Sequence, residues 1–400
     1  MTEVLVLGSG FAGLWAALGA ARRLTELDAA QGDVHVTVLS SQPYHDIRVR
    51  NYEADLTPCR IPLSDVLDPV GVKHVTADVT AIDPASRMVK TSRGTHDYDR
   101  LVVALGSQVV KPDIPGLREF GFDVDSYDGA VRLQRHLATL ARGPHTTSAC
   151  TVAVVGAGLT GIETACELPA RLAALFPDGA PRVVLIDRNP HVGSDMGASA
   201  RPVIEAALNA IGVHTRLGVG VTAVDAAGLT LSTGEVLAAS TVVWCAGMRA
   251  NPLTADLGVA CDRLGRVPVD DYLRVDGVPG VFAAGDVAAA RMDDTHLSVM
   301  SCQHGRPMGR YAGYNVISDL LGEPMLALRI PWYVTVLDLG PAGAVYTEGW
   351  DRQVVASGED AKATKRTING QRIYPPLDGD RDAILAAAAP TLQSRPTATG

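Results

Sequence analysis

Two stretches of the chain carry one hydrophobic pattern. VLVLGSGFAGLWAA (4–17) and VAVVGAGLTGIETA (152–165) each run four apolar residues into GxGxxG and then into small and apolar residues at helical spacing. An apolar run cut off by glycine predicts a buried strand, and the residues after it predict a helix packed on that strand. Each copy is followed, at nearly the same interval, by a second apolar run: VHVTVLS, ending at Ser40, and RVVLID, ending at Asp187. The pattern therefore predicts two βαβ units, 1 to about 115 and 116–249. The first is expected to be completed by 250–325, which carries VPGVFAAGDVA (278–288) and a helical pattern within HLSVMSCQHGRPMGRYAGYNVISDLLG (296–322). Residues 326–376 alternate apolar and polar positions between Gly and Pro turns, which predicts a small antiparallel sheet. The fold class is α/β, two Rossmann-like domains followed by a small α+β domain with its tail (326–400).

The spacing of the glycines assigns them separate tasks. Gly8 and Gly156 permit the tight turn, Gly10 and Gly158 let backbone approach a phosphate, and Gly13 and Gly161 let helix pack on strand. The helix N-termini that follow, Phe11 and Ala12 in one copy and Leu159 and Thr160 in the other, are where a pyrophosphate binds. Asp187 stands where a carboxylate accepts hydrogen bonds from ribose hydroxyls and repels a 2′-phosphate, which favours NADH over NADPH; Arg188 beside it partly offsets that repulsion. The first unit has Ser40 at the equivalent strand end.

Composition narrows the classes. A net charge of −9 on 400 residues argues against general binding to nucleic acid or anionic lipid. The six cysteines are scattered without a CxxC, so no metal site is expected. No apolar run reaches the ~18–20 residues that span a bilayer. The chain enters a predicted strand at once, leaving no room for a cleavable leader, and a cytoplasmic protein is expected.

In this order the motifs resemble the two-dinucleotide flavoprotein superfamily related to the disulfide reductases, and most of all its type II NADH dehydrogenase group. The likeness rests on the two glycine motifs, on the crossings YDRLVVALGSQVVKPDIPG (98–116) and STVVWCAGMRANP (240–252), on GDVA, and on SSQPYHDI, where Tyr44 and His45 match and Ser40 departs from the usual acid. It implies FAD on the first unit and NADH on the second, with hydride passing from NADH to the flavin and two electrons then leaving to a quinone-like acceptor. By resemblance, Ser40, Ser41, His45, Arg48, Val79, Ala104, Gly106, Gly285 and Asp286 join the FAD site, with Asp286 on the ribityl chain. Glu163, Ala246 and Gly247 join the NADH site. Glu163, Gln303 and His304 are the catalytic candidates. A helix-dipole role for Glu163 and a buried structural role for His304 compete with this, and Pro307 fits either a first helical turn or a kink. Trp332, Tyr333 and Trp350 suit an aromatic pocket or a small core. The dithiol of the disulfide reductases has no counterpart, since YHDIRVRNYEADLTPCR holds Cys59 alone.

One departure bears on the acceptor. Membrane-bound members of the group end in an amphipathic, often basic segment, whereas this chain ends DGDRDAILAAAAPTLQSRPTATG, with a short Ala-rich stretch of little charge contrast. At most peripheral membrane contact is expected, and a homodimer is compatible with the sequence. Three other readings stay open: a reductase of a small iron–sulfur protein, a reductase of one organic metabolite, and an NADH-sensing flavoprotein of the apoptosis-inducing-factor type.

Overall fold

A computed structural model describes residues 2–28, 33–392 and 394. The first parallel sheet has five strands in the order Val281–Ala283, Arg100–Val103, Thr2–Leu7, Val34–Ser40, Lys73–Thr76. Residues separated by nearly two hundred positions thus lie side by side, and the second sheet is inserted between them. That sheet is also five-stranded and parallel, ordered Gly121–Phe122, Thr241–Trp244, Thr151–Val155, Arg182–Asp187, Val213–Leu217. In each sheet the first strand of a glycine motif is central and fully buried over its last residues, because helices or a small antiparallel sheet cover both faces. The two bodies are joined by an antiparallel crossing, Ser107–Val109 against Met248–Ala250.

The helix Phe11–Glu26 packs along Cys302–Leu321 with their backbones nearly touching. A Cβ added at Gly309 would lie 2.3 Å from the Ala12 carbonyl oxygen, and one at Gly313 2.1 Å from that of Ala16. Small residues at four-residue spacing are what let two helices approach so closely. Pro307 lies inside this helix, beyond its first turn, which begins after the cap Ser301. The antiparallel sheet expected near the C-terminus comprises Val334–Asp338, Ala344–Glu348 and Gln353–Ser357, followed by the helix Gly358–Thr367. The Ala-rich stretch forms a short helix, Arg381–Ala387, that turns back onto the first body. There Ile384 and Leu385 enter the core, and Arg22 donates to the Leu385 carbonyl at 2.9 Å.

Candidate functional site

The two glycine turns are built alike. Gly8 and Gly156 adopt φ of +97° and +109°, a region L side chains rarely enter. A Cβ on Gly13 would sit 1.9 Å from the Gly8 carbonyl oxygen, and one on Gly161 1.7 Å from that of Gly156, so each helix presses directly on its turn. At Gly10 a Cβ would meet nothing within 4 Å. That open space lies at the N-terminus of Phe11–Glu26, where no side chain caps the free backbone N–H groups. Gly158 caps Leu159–Leu175 in the same uncapped way.

The strand ends differ. Asp187 accepts from the Ala157 N–H at 2.6 Å and from the Asn189 N–H at 2.7 Å, so its carboxylate clips the second glycine turn to its own neighbouring strand. Arg188 beside it is exposed. Ser40 is too short to do the same. It is buried, donates to the Gln42 carbonyl at 2.7 Å and pairs with His74 Nε2 at 2.8 Å. Its neighbour Ser41 is exposed. The first turn is tied down instead by the next segment, where fully buried His45 donates from Nδ1 to the Ser9 carbonyl at 2.8 Å. Because a carbonyl only accepts, Nδ1 carries the proton and Nε2 is left as a buried acceptor without a partner. Burial, partly opposed by the Ser9 bond, lowers the His45 pKa to about 4, so the ring is neutral at pH 7.

A second knot forms where the crossing meets the GDVA segment. Arg48 donates from Nε to Asp125 at 3.1 Å and from Nη1 to the Ser107 carbonyl at 2.9 Å. Ser107 Oγ in turn donates to Asp286 at 2.5 Å. Desolvation raises the Asp286 pKa, against the pull of Ser107 and Arg48. Gly285, at φ +75°, brings this segment so close to the first helix that a Cβ there would lie 2.7 Å from that of Ala12. Gly305 stands within about the same region, its hypothetical Cβ 3.9 Å from the Ala12 nitrogen. Ala104 flanks the turn of Gly8, Gly106 accepts from the Asn251 N–H, and Ala246 flanks the turn of Gly156. Gly247 accepts from the Val110 N–H, and Val79 begins a partly buried strand beyond the first sheet.

The helix Cys302–Leu321 opens against this convergence. Gln303 Nε2 is buried without a partner. His304, fully buried, accepts the Val299 N–H at Nδ1 (2.8 Å), which places the proton of its neutral ring on Nε2, again without a partner. Desolvation lowers its pKa to about 4. It lies beside an aromatic stack in which Trp350 faces His296 at 4.2 Å and Tyr333 at 4.9 Å. Trp332 packs at the edge of two core clusters.

Glu163 is 8% exposed and accepts from Lys365 Nζ at 2.7 Å and from the Asp338 N–H at 3.1 Å. Its carboxylate is spent on the C-terminal sheet and helix, and no bond to its own helix terminus is recorded among the described residues. Desolvation raises the Glu163 pKa while Lys365 opposes it; for Lys365, desolvation is outweighed by Glu163, and its pKa also rises. Lys365 also donates to the Val336 carbonyl at 3.1 Å, so it ties Glu163 to the C-terminal sheet. Lys365, Asp338, Ser107 and Asp125 were absent from the sequence reading. No local pattern marks them, because each matters through a partner distant in sequence.

The cradle fits a dinucleotide at each turn: open space at Gly10, uncapped helix starts, and unpartnered polar atoms on Gln303 and His45. Among the described residues no group of His, Cys, Asp and Glu could hold a metal ion. No helix among them is long and apolar enough to cross a membrane.

Comparison with known proteins agrees. The chain is 72% identical over 400 residues to an NADH dehydrogenase-like protein of Mycobacterium tuberculosis, covering 99% of this chain and 100% of that one. It is 32% identical over 323 residues to the type II NADH:quinone oxidoreductase of the same organism, covering 72% and 67%. Its fold superposes with a TM-score of 0.77 on NDH2 from Plasmodium falciparum in complex with RYL-552, at 13% identity and 97% coverage of both chains. The chain is an oxidoreductase whose cofactors are FAD and NADH. Residues 2–309 match the pyridine nucleotide-disulphide oxidoreductase model, and the chain belongs to that family.

Proposed function

We propose that the protein oxidises NADH and delivers two electrons to a quinone-like acceptor. The observation that carries this reading is the pair of like-built glycine turns in one chain, each opening onto a helix start that no side chain caps. FAD, when bound, supplies the two-electron relay between NADH and the acceptor. The residues of the chain then have distinct tasks. The turn at Gly8, Gly10 and Gly13, with Arg48, Ser107 and Asp286, holds FAD. The turn at Gly156, Gly158 and Gly161, with Asp187, holds NADH and disfavours a 2′-phosphate. The N-terminus of Cys302–Leu321 would supply positive potential to a reduced ring held beside it, and Lys365 holds Glu163 in place. Gln303, with a free amide donor, faces the acceptor side, and His304 fixes the entry of that helix through Val299.

Relatives named for quinone chemistry support the acceptor class. The C-terminal helix Arg381–Ala387 is docked on the first body, which supports an acceptor reached from water or from peripheral contact with a membrane. A steady-state screen of quinones, ferredoxin and oxygen, with NADH and NADPH and with and without lipid vesicles, tests the reading. Purified protein should be yellow and bleach anaerobically with NADH, and quinones should support the fastest turnover. Protein that cannot be reconstituted with FAD, or that turns over only with an iron–sulfur partner, would overturn it.

A further inference from the structure

Where the two bodies meet, a cavity of about 750 Å³ opens beside the antiparallel crossing. Its walls come from the crossing itself, from residues within 111–126 that lead into the second body, and from residues within 252–265 of the first. None of the described residues that line it belongs to either glycine turn or to the GDVA segment. A space of this size is that of a small-molecule site rather than of a packing defect.

The charges on these walls do not balance. Both carboxylates that line the cavity are already paired: Asp123 accepts from Lys111 Nζ at 2.8 Å, and Asp125 accepts from Arg48 Nε at 3.1 Å and from the Val109 N–H at 2.9 Å. Arg118, on the short helix Leu117–Phe120, and Arg249, on the strand Met248–Ala250, line the same space and have no carboxylate partner among the described residues. A single exposed arginine is an ordinary solvated charge. Here two of them, on segments far apart in sequence, stand on the walls of one concavity. Val109, Val110, Pro252 and Ala255 give that concavity an apolar wall.

Guanidinium groups with unused N–H donors suit an oxyanion, and their planar fork holds phosphate through paired bonds. A phosphate monoester carries close to two negative charges at neutral pH, which matches the two unpaired cations. We propose that the cavity binds a small phosphate monoester, with Arg118 and Arg249 on the phosphate and the apolar wall against its organic body. A ligand there touches both bodies and the crossing that joins them, so its binding steadies that junction. Trp244 links the same wall to the second sheet, because its indole N–H donates to the Val110 and Ala246 carbonyls, each at 2.9 Å. This site is independent of which acceptor the flavin serves.

Calorimetric titration of the FAD-loaded protein with α-naphthyl phosphate tests the site, with saturating NAD+ present so that the nucleotide sites are filled. Wild type should bind this probe at least about ten-fold more tightly than it binds α-naphthol or inorganic phosphate, equivalent to ~1.4 kcal/mol. The Arg118→Gln/Arg249→Gln double variant should lose that advantage. Ala255→Trp, which fills the apolar wall and leaves both arginines in place, should lose binding altogether. Both variants should keep the flavin and its bleaching by NADH, which shows that they are folded. The probe should also raise the Tm of wild type and of neither variant. No binding by wild type at about 1 mM probe would overturn the site. Equal binding by wild type and the double variant would overturn it too, as would undiminished binding by Ala255→Trp. Binding seen only when NAD+ is left out would assign the probe to the NADH site and overturn it equally.

Discussion

The two glycine units share a backbone and differ in what holds it. In the second, the strand end itself does so, because Asp187 reaches the Ala157 N–H at 2.6 Å. In the first, Ser40 falls short, and His45 secures the turn from outside by donating to the Ser9 carbonyl. The helices are covered differently as well. Phe11–Glu26 lies against a glycine-lined helix, whereas Leu159–Leu175 is tied to the C-terminal sheet through the Glu163–Lys365 pair. The turn is a steric requirement that any sequence with this motif must meet. Its fastening is a separate choice, made by Asp187 in one unit and by His45 in the other.

The comparison breaks most visibly at the glycines. Gly13→Ala places a Cβ 1.9 Å from the Gly8 oxygen and should leave less than about a tenth of the flavin bound. Gly161→Ala should keep the flavin, measured by its absorbance, and lose anaerobic bleaching by NADH. Flavin loss from both variants would show that the two units are not assigned separately.

Next in size is the buried pair. Lys365→Met leaves Glu163 without its cation and should cost ~3–5 kcal/mol near neutral pH. With its folded pKa raised above 4.5, Glu163 is most at ease protonated; the loss should be smallest below pH 4.5 and grow as pH rises. Thermal unfolding at pH 5 and pH 8 checks the sign, and a larger loss at pH 5 would refute it.

His45 and His304 give the opposite slope. Each has a folded pKa lowered from 6.5 to about 4, so each contributes stability that is present above pH 6.5 and lost as pH falls toward 4. The full loss is about 3 kcal/mol per histidine. His45→Gln should flatten the acid limb of a denaturation series by roughly half of that combined effect.

Smaller changes separate the strand ends. Asp187→Ala should raise the NADH KM about ten- to a hundred-fold, the worth of charge-assisted hydrogen bonds, without changing flavin content. Ser40→Asp should alter FAD affinity by less than about three-fold, equivalent to under ~1 kcal/mol, because the new carboxylate meets His74 on the same strand neighbour. Flavin release followed by fluorescence measures it, and outright loss of FAD would mean that the serine has a role its hydrogen bonds do not reveal.

Much of the architecture was readable because it is local. Four apolar residues, a glycine that must adopt positive φ and a helix of small residues define a βαβ unit wherever they occur, and their repetition announced two. The helix after GDVA and the C-terminal sheet were readable from period alone. The candidate chemistry was less so. Glu163 stood out as an acid on an apolar helix, yet its partner lies 202 positions away in a polar stretch with no distinguishing pattern. Nothing in the local pattern marks Arg306 and Arg310, which only the fold brings over the ring of Trp15.

The sequence by itself determined the two turns and the helices they launch, since these depend on steric limits within a few residues. Only the tertiary structure decided how those parts are fastened: His45 on Ser9, Lys365 on Glu163, two guanidinium groups over one indole. Each is a buried polar group whose protonation state and energy depend on what lies against it, and burial among distant segments has no local signature.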